Sequence, residues 1–329
     1  MNTSEFYALI SHHSKKDLKS MDSIIKFNVI IFALFLNIAL NPIAYANDAA
    51  TDSQDRLQQS EASIVLTEPV DDSVYDERER DEKTILCNPF AIAFYKPTYV
   101  LPFYFTNSPY QQVYLGNTPN NQKIQSPELK AQLSFEIPLL QNIIGADSKL
   151  SAAYTQKMFW QVYANSKYFR ETNYQPEVFI AKRITHHLWL NFGAEHESNG
   201  RGGSMERSWN RAYINAIFSH ANFAVRLRPW ILIFKGSSSG LYNPDITDYM
   251  GHGEIILSCK LHKLDLNLTM RNNFESGFKR GANEITLSFP ITTKVKLYAQ
   301  FFSGYGQSLI EYNHFTNAFG VGIALSDWI

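Results

Sequence analysis

From Tyr99 to the C-terminus, apolar and polar residues alternate in stretches of about ten, separated by turn-rich connections. Lys130 to Ile137 is the cleanest case. Ala131, Leu133, Phe135 and Ile137 fall on one face, and Lys130, Gln132, Ser134 and Glu136 on the other. Successive side chains of a strand point to opposite faces, so this period of two predicts β-strands with unlike environments on their two sides. The stretch 261–273 repeats the pattern, with Leu264, Leu266, Leu268 and Met270 opposing Asp265, Asn267, Thr269 and Arg271. In 221–233, Phe223, Val225 and Leu227 oppose Asn222, Arg226 and Arg228. Twelve such segments are expected, near 99–107, 128–138, 149–163, 173–184, 187–198, 207–219, 221–233, 249–260, 262–273, 282–290, 294–303 and 316–328.

The connections sharpen the expectation. Gaps after even segments tend to be short (Ile184 to His187, Ser219 to Ala221, Pro290 to Lys294). Gaps after odd ones tend to be long (Asn107 to Glu128, Ile233 to Tyr249, Ser303 to Thr316). Long loops at one end and short turns at the other, on an even number of strands, is the arrangement of a bacterial membrane barrel. An even antiparallel count also closes the sheet without a free edge. The predicted fold is therefore all-β, a twelve-stranded antiparallel transmembrane β-barrel. A water-soluble β-sandwich shares the alternation and remains the competing architecture. With both termini periplasmic, odd segments rise outward. The terminal Asp327-Trp328-Ile329 then reads as the aromatic end of the last membrane strand.

Composition narrows the class. Aromatics are abundant (23 Phe, 18 Tyr, 5 Trp), which suits strands. The formal net charge of −1 gives no pull toward nucleic acid. At the N-terminus the apolar run Phe27–Leu40 follows Lys26, Lys19, Lys16 and Lys15 and leads to Ala44-Tyr45-Ala46. That is a secretory signal over residues 1–46, too short for a helical span, and Met21 offers an alternative start. From Asn47 to Lys83 there are twelve Asp or Glu against four Lys or Arg. Such a segment buries too little apolar area to offset its ordering entropy. Residues 47–90 are expected to form a disordered acidic periplasmic arm, with the barrel domain over 91–329. Cys87 and Cys259 are the only cysteines. They are expected to stay unpaired, although an oxidising compartment would permit a bridge.

Candidate chemistry lies in Phe192 to Arg211. Leu188, Leu190, Phe192, Ala194, His196 and Ser198 share one strand face. A base and a hydroxyl thus project together from an apolar surface. On the next strand, Ser208, Asn210, Ala212, Ile214, Ala216 and Phe218 share a face. Ester cleavage needs a hydroxyl, a base and a group that orients the base. Ser198, His196 and Asn210 fill those roles. An amide suits a lipid-facing site, because a charge facing hydrocarbon costs about 2–4 kcal/mol at mid-depth and less near the interface. The loop from Ser198 to Gly203 is rich in glycine, and its backbone N–H groups can hold an oxyanion. Calcium, which takes carbonyl and carboxylate oxygens, suits such a loop as an electrostatic helper. Gln156 shares a face with Ala152, Tyr154, Met158 and Trp160. A polar amide there is either an interfacial residue near the rim or is satisfied by its own copy across a dimer.

The block His196-Glu197-Ser198-Asn199-Gly200-Arg201, followed by Arg207-Ser208-Trp209-Asn210-Arg211, resembles outer-membrane phospholipase A. Further matching blocks are Phe169 to Tyr174, Asn243 to Thr247, Ser303 to Gly306 and Ser308 to Ile310. The resemblance covers Tyr95 to the C-terminus and leaves the acidic arm outside. It implies a twelve-stranded barrel in the outer membrane of a Gram-negative bacterium, its active site toward the outer leaflet. The implied activity is calcium-dependent hydrolysis, by a homodimer, of both sn-1 and sn-2 acyl esters of phospholipids and lysophospholipids. Carried over residue by residue, it implies His196 as proton acceptor, Ser198 as nucleophile, Asn210 as third member and Gly200 as an oxyanion donor. It implies calcium (Ca2+) held by the carbonyls of Arg201 and, from the second copy, Ser166. The family's third ligand is a serine hydroxyl, where this chain has Glu206. A second calcium site uses two aspartates in the family. Their positions fall near Gly203 and Tyr242, so that site is expected to be lost or rebuilt around Asp245. A barrel without catalysis, acting as a channel, accounts for the strands and loops equally well.

Overall fold

The computed structural model describes residues 73–76, 78–80, 92–233 and 242–329. The chain divides into two compact units, Met1–Asp71 and Asp72–Ile329, and all described residues belong to the second. The expected signal segment, most of the expected arm, and Cys87 lie outside them. Cys259 is buried in the wall.

A two-residue strand β1 (Ala93–Phe94) leads into β2 (Thr98–Thr106), β3 (Pro127–Gln141), β4 (Ser148–Trp160), β5 (Phe169–Thr185), β6 (Leu188–Ser198) and β7 (Ser208–His220). These are followed by β8 (Phe223–Leu232), β9 (Gly253–Leu261), β10 (Leu264–Arg271), β11 (Ala282–Pro290), β12 (Lys296–Tyr305) and β13 (Phe315–Ser326). Each of β2 to β13 pairs antiparallel with its sequence neighbours, and β13 returns to pair with β2. Twelve strands therefore close a barrel, with β1 continuing the β2 edge of β3. All twelve expected segments are present. The clearest displacement is at the eighth, expected to begin at 249. Tyr249 and Met250 instead end a one-turn helix, Ile246–Met250, which Gly251 closes at φ +67 before β9 starts.

The two faces of the wall are inside-out relative to a water-soluble protein. Leu133 and Ile137 are exposed on the outside, as are Phe192, Ile214, Phe218 and Ile231. Lys130, Gln132, Ser134 and Glu136 are buried within, as are Glu177, Glu195 and Gln300. Only a hydrocarbon surround makes that arrangement favourable, which excludes the sandwich. The middle of the interior is crossed by a charge network. Arg170 is fully buried, donates to both carboxylate oxygens of Glu128 at 2.6 and 2.7 Å, and lies 3.2 Å from Glu311. Arg228 bridges Glu177 and Glu195, and Arg211 bridges Glu195 and Glu197. The cavity left among these charges measures about 110 Å³, space for a few waters, while a wider one of about 570 Å³, lined by Glu136, Asn191, Asn215 and Arg226, lies at the short-turn end.

Two findings differ from the sequence reading. Part of the acidic arm is ordered. Residues 74–76 and 78–80 are helical and sit at the short-turn end. Val74 N–H donates to the carbonyl of Ala221, Tyr75 packs edge-on against Trp189 at 4.8 Å, and Arg183 pairs with Asp76 (2.7 Å) and Glu79 (3.0 Å). A disordered arm is what net composition predicts. Local complementarity between two acids and one lumenal arginine, plus two apolar side chains, overrides it here. The strand expected to run to Trp328 stops at Ser326. Trp328 turns inward to line the small lumenal cavity and carries the guanidinium of Arg226 over its ring at 4.6 Å. The Asp327 side chain accepts from Asn267 and Ser288, which draws the terminus toward the lumen.

Arg183 supplies the two ion pairs among the contacts that hold the docked segment. Arg183→Ala should therefore speed tryptic cleavage at Arg78 and Arg80 in the folded barrel. An unchanged rate would show that the helix is held by other contacts.

Candidate active site

The register of the β6–β7 hairpin sets the site. His196 lies directly opposite Asn210, and Ser198 opposite Ser208. The Nδ1–H of His196 donates to Oδ1 of Asn210 at 2.8 Å. That bond fixes the tautomer and leaves Nε2 with its lone pair free to accept a proton. Glu195 and Glu197 alternate with these residues and are buried in the lumen, so His196 and Ser198 stand on the outer face. Both are half-buried. Among the described residues, no hydrogen bond joins Ser198 to His196. The two share a face one strand repeat apart, about 6–7 Å between Cα atoms. A side-chain rotation would be needed to bring Oγ to Nε2.

The lumenal side pins the same hairpin. Glu197 accepts from Arg211 at 2.9 Å, from Trp209 Nε1 at 2.8 Å and from Gln175 at 2.8 Å. Glu195 is gripped by Arg211 and Arg228. Each buried carboxylate is thus compensated, and the backbone between them is held where it carries His196.

Beyond Ser198 the chain leaves the sheet in a loop built around one side chain. Asn199 is buried. Its Oδ1 accepts from the backbone N–H groups of Arg201 (3.3 Å) and Arg207 (3.0 Å), and its Nδ2 donates to the Met205 carbonyl at 2.8 Å. Arg201 reaches back to Glu171 at 3.3 Å and to the Arg170 carbonyl. Gly200 has φ +63, and a Cβ there would lie 3.0 Å from the Tyr174 ring. Both conformation and space demand glycine at the position expected to donate its N–H.

The remaining expected residues fall as follows. Glu206 is half-buried, and among the described residues its carboxylate has no hydrogen-bond or ion-pair partner; nor does the Arg201 carbonyl accept a hydrogen bond. Ser166 lies in the β4–β5 loop, hydrogen-bonded to Asn120 and Gln122. Gln156 is on the outer face of β4 opposite Tyr174, where Tyr154 donates to its Oε1 at 3.0 Å and leaves its amide N–H groups without a partner. Asp245 precedes the one-turn helix and accepts from the Tyr312 hydroxyl at 2.6 Å. Burial, together with that carboxylate, pushes the Tyr312 hydroxyl well above its ordinary range. Among the described residues, no three His, Cys, Asp or Glu side chains gather as a metal cluster. A calcium site would therefore draw mainly on backbone carbonyls and Glu206. Sequence reasoning missed Asn199 and Asn243 as supports. Asn243 is buried and pairs both the N–H and the carbonyl of Ser208, fixing the start of β7 at 3.2 and 2.9 Å. Both residues lie inside the quoted motifs, which was the signal available.

The family described as Phospholipase A1 matches residues 75–325. Phospholipase A1 of Salmonella typhimurium is 37% identical over 249 residues, covering 73% of this chain and 83% of the relative. That of Escherichia coli K12 is 36% identical over the same length and shares. Among solved structures, a Salmonella typhi outer membrane phospholipase, a dimer with bound calcium, superposes with a TM-score of 0.67 at 36% identity, covering 73% of this chain and 94% of that one. The E. coli outer membrane phospholipase A gives 0.67 at 34% identity, covering 73% and 100%. An E. coli active-site variant with an asparagine replaced by alanine also superposes at 0.67, with 34% identity and coverage of 74% and 94%.

Gly200 and Gly202 provide a paired test of the loop. Gly202 has open space around it and no positive φ. Gly200→Ala should lower amide-exchange protection across residues 199–207, at a cost of about 1 kcal/mol, while Gly202→Ala leaves it unchanged. Equal effects would show that the Gly200 conformation is not required.

Proposed function

The chain belongs to the phospholipase A1 family of outer-membrane β-barrel hydrolases, and from that premise we propose that it is a calcium-dependent phospholipase A that cleaves both sn-1 and sn-2 acyl esters, from lysophospholipids as well as phospholipids, as a homodimer. The observation that carries the reading is the His196–Asn210 hydrogen bond on the lipid face of the wall, with Ser198 beside it at the long-loop end. That end is the outer rim, so the site meets acyl esters of the outer leaflet. The ion pairs that cross the lumen, with a cavity of only about 110 Å³ among them, count against an open channel.

The Ser198 oxygen attacks the acyl carbonyl carbon as His196 Nε2 takes its proton. Asn210 holds the imidazole in the productive tautomer without bringing a charge to the hydrocarbon. The Gly200 N–H donates to the oxyanion. His196 then returns its proton to the departing glycerol oxygen, and the lysophospholipid leaves. Water, deprotonated by His196, attacks the acyl-Ser198 ester, the fatty acid leaves, and Ser198 recovers its proton.

Calcium takes oxygen ligands. The unpartnered Glu206 carboxylate and Arg201 carbonyl fit that preference, with Ser166 of the partner subunit as the third oxygen. When bound, the ion would supply positive charge beside the developing oxyanion, the electrostatics that Asn210 does not provide. A carboxylate in place of a serine hydroxyl adds a formal charge to the ligand set and should tighten binding. Gln156 would pair across the interface through its free amide N–H groups. A lone subunit lacks one calcium ligand and is idle, so disruption of the outer membrane, by mixing leaflets, would supply both substrate and dimer.

Fatty-acid release by purified protein in mixed micelles tests the assignment. Ser198→Ala should reduce release by at least ~10³-fold, and chelating calcium should abolish it. Full activity of Ser198→Ala would contradict the reading. Glu206→Ala should raise the calcium concentration for half-maximal release by about tenfold or more; an unchanged calcium response would remove Glu206 from the ligand set.

A further inference from the structure

The long β2–β3 and β4–β5 loops are laced by a device used three times. In each case a glutamine side-chain amide pairs with a backbone amide, donating to its carbonyl and accepting from its N–H. Gln111 Nε2 donates to the Ile124 carbonyl at 2.6 Å, and Ile124 N–H returns a bond to Oε1 at 2.9 Å. Gln161 does the same to Gln125, at 3.2 and 2.7 Å, and also donates to Glu128 at 2.9 Å. Gln122 Nε2 donates to the Ser166 carbonyl at 2.6 Å, and Ser166 N–H donates to Gln122 Oε1 at 3.3 Å.

The first clamp closes the β2–β3 loop on itself, and the second ties that loop to the β4–β5 loop through the buried Gln161. The third holds the residue whose carbonyl is the calcium oxygen offered to the second copy. Gln122 is itself immobilised. Its N–H donates to the Pro119 carbonyl at 3.2 Å and its carbonyl accepts from the Thr118 hydroxyl at 2.7 Å. This closes a tight turn in which Asn120 and Asn121 take positive φ (54 and 51). Asparagine is among the few non-glycine residues that tolerate this. From that turn Asn120 Nδ2 donates to the Ser166 hydroxyl at 3.0 Å. Ser166 is therefore held at its N–H, its carbonyl and its hydroxyl. A carbonyl oxygen has two lone pairs. Gln122 occupies one, and among the described residues no other donor reaches the second.

We propose that Gln122 is a positioning residue for the shared calcium site: its reciprocal pairing with the Ser166 backbone sets the direction of that carbonyl before dimerisation, so that the ion meets a preformed oxygen. The proposal rests on the reading of Ser166 as a calcium ligand. Preorganisation removes the ordering cost that a mobile loop would otherwise incur at the moment of association. Loss of a group that orients a metal ligand typically weakens binding 10–100-fold.

The test is a calcium titration of dimerisation, read by crosslinking of purified full-length protein in detergent. Wild type, Gln122→Met and Gln111→Met are compared, with heat-dependent gel migration reporting barrel integrity. Methionine keeps the length of glutamine and removes both hydrogen bonds. Gln122→Met should shift the calcium midpoint upward by about tenfold or more with gel migration unchanged, and Gln111→Met should shift it less. Asn120→Ala should move it in the same direction and keeps the proposal testable should Gln122→Met lose its fold. A calcium-responsive wild type with an unmoved Gln122→Met midpoint, or equal shifts in both methionine variants, overturns this proposal alone. A wild type whose association ignores calcium overturns the calcium reading, and this proposal with it.

Discussion

Everything at the site depends on the two-sidedness of one strand. Along β6, Glu195 and Glu197 enter the lumen while His196 and Ser198 meet the outside. The inward pair is locked by Arg211 and Arg228, and a buried carboxylate that loses its cation is strongly unfavourable. A one-residue slip would put those carboxylates into hydrocarbon and the imidazole into the charge network. The lumenal ion pairs thus act as the register pin for a site that they never touch.

The period-two pattern made the barrel legible. Each strand faces lipid on one side and a polar interior on the other, so burial and sequence alternate together, and twelve segments could be read from Tyr99 onward. The hairpin register that joins His196 to Asn210 was legible for the same reason: a hairpin relates its two strands locally. The interior was not. Arg170, Glu128 and Glu311 meet from three distant parts of the chain, and nothing in their local sequence marks them as partners. The docked residues 73–76 and 78–80 were hidden by the acidity of the arm around them, since composition averages over a segment while docking depends on a few placed side chains. The one-turn helix at Ile246–Met250 shares its apolar content with the strand expected there, and only Gly251 signals the break. The glutamine clamps were equally silent, because glutamine has no fixed role in a loop until its partner is known.

The site also shows how a barrel wall accommodates polar chemistry. An aspartate in the position of Asn210 would stabilise an imidazolium more strongly but would sit charged against lipid. The neutral amide keeps the orienting bond and forgoes the charge. Fixed N–H groups, such as that of Gly200 in the Asn199-braced loop, can then meet developing negative charge without reorganisation. In the proposed reaction the outer rim, where strand gives way to loop, is the level at which lipid substrate, backbone donors and the calcium oxygens would coincide.

The outward orientation of the pair is most directly measured by spin labels at single cysteines in proteoliposomes, with Cys87 and Cys259 replaced by serine. Labels at His196 and Ser198 should relax strongly with lipid-soluble oxygen and weakly with a water-soluble nickel chelate, while a label at the inward-facing Asn191 is shielded from oxygen. Strong oxygen relaxation at Asn191 with shielding at His196 and Ser198 would place the pair in the lumen and contradict the account.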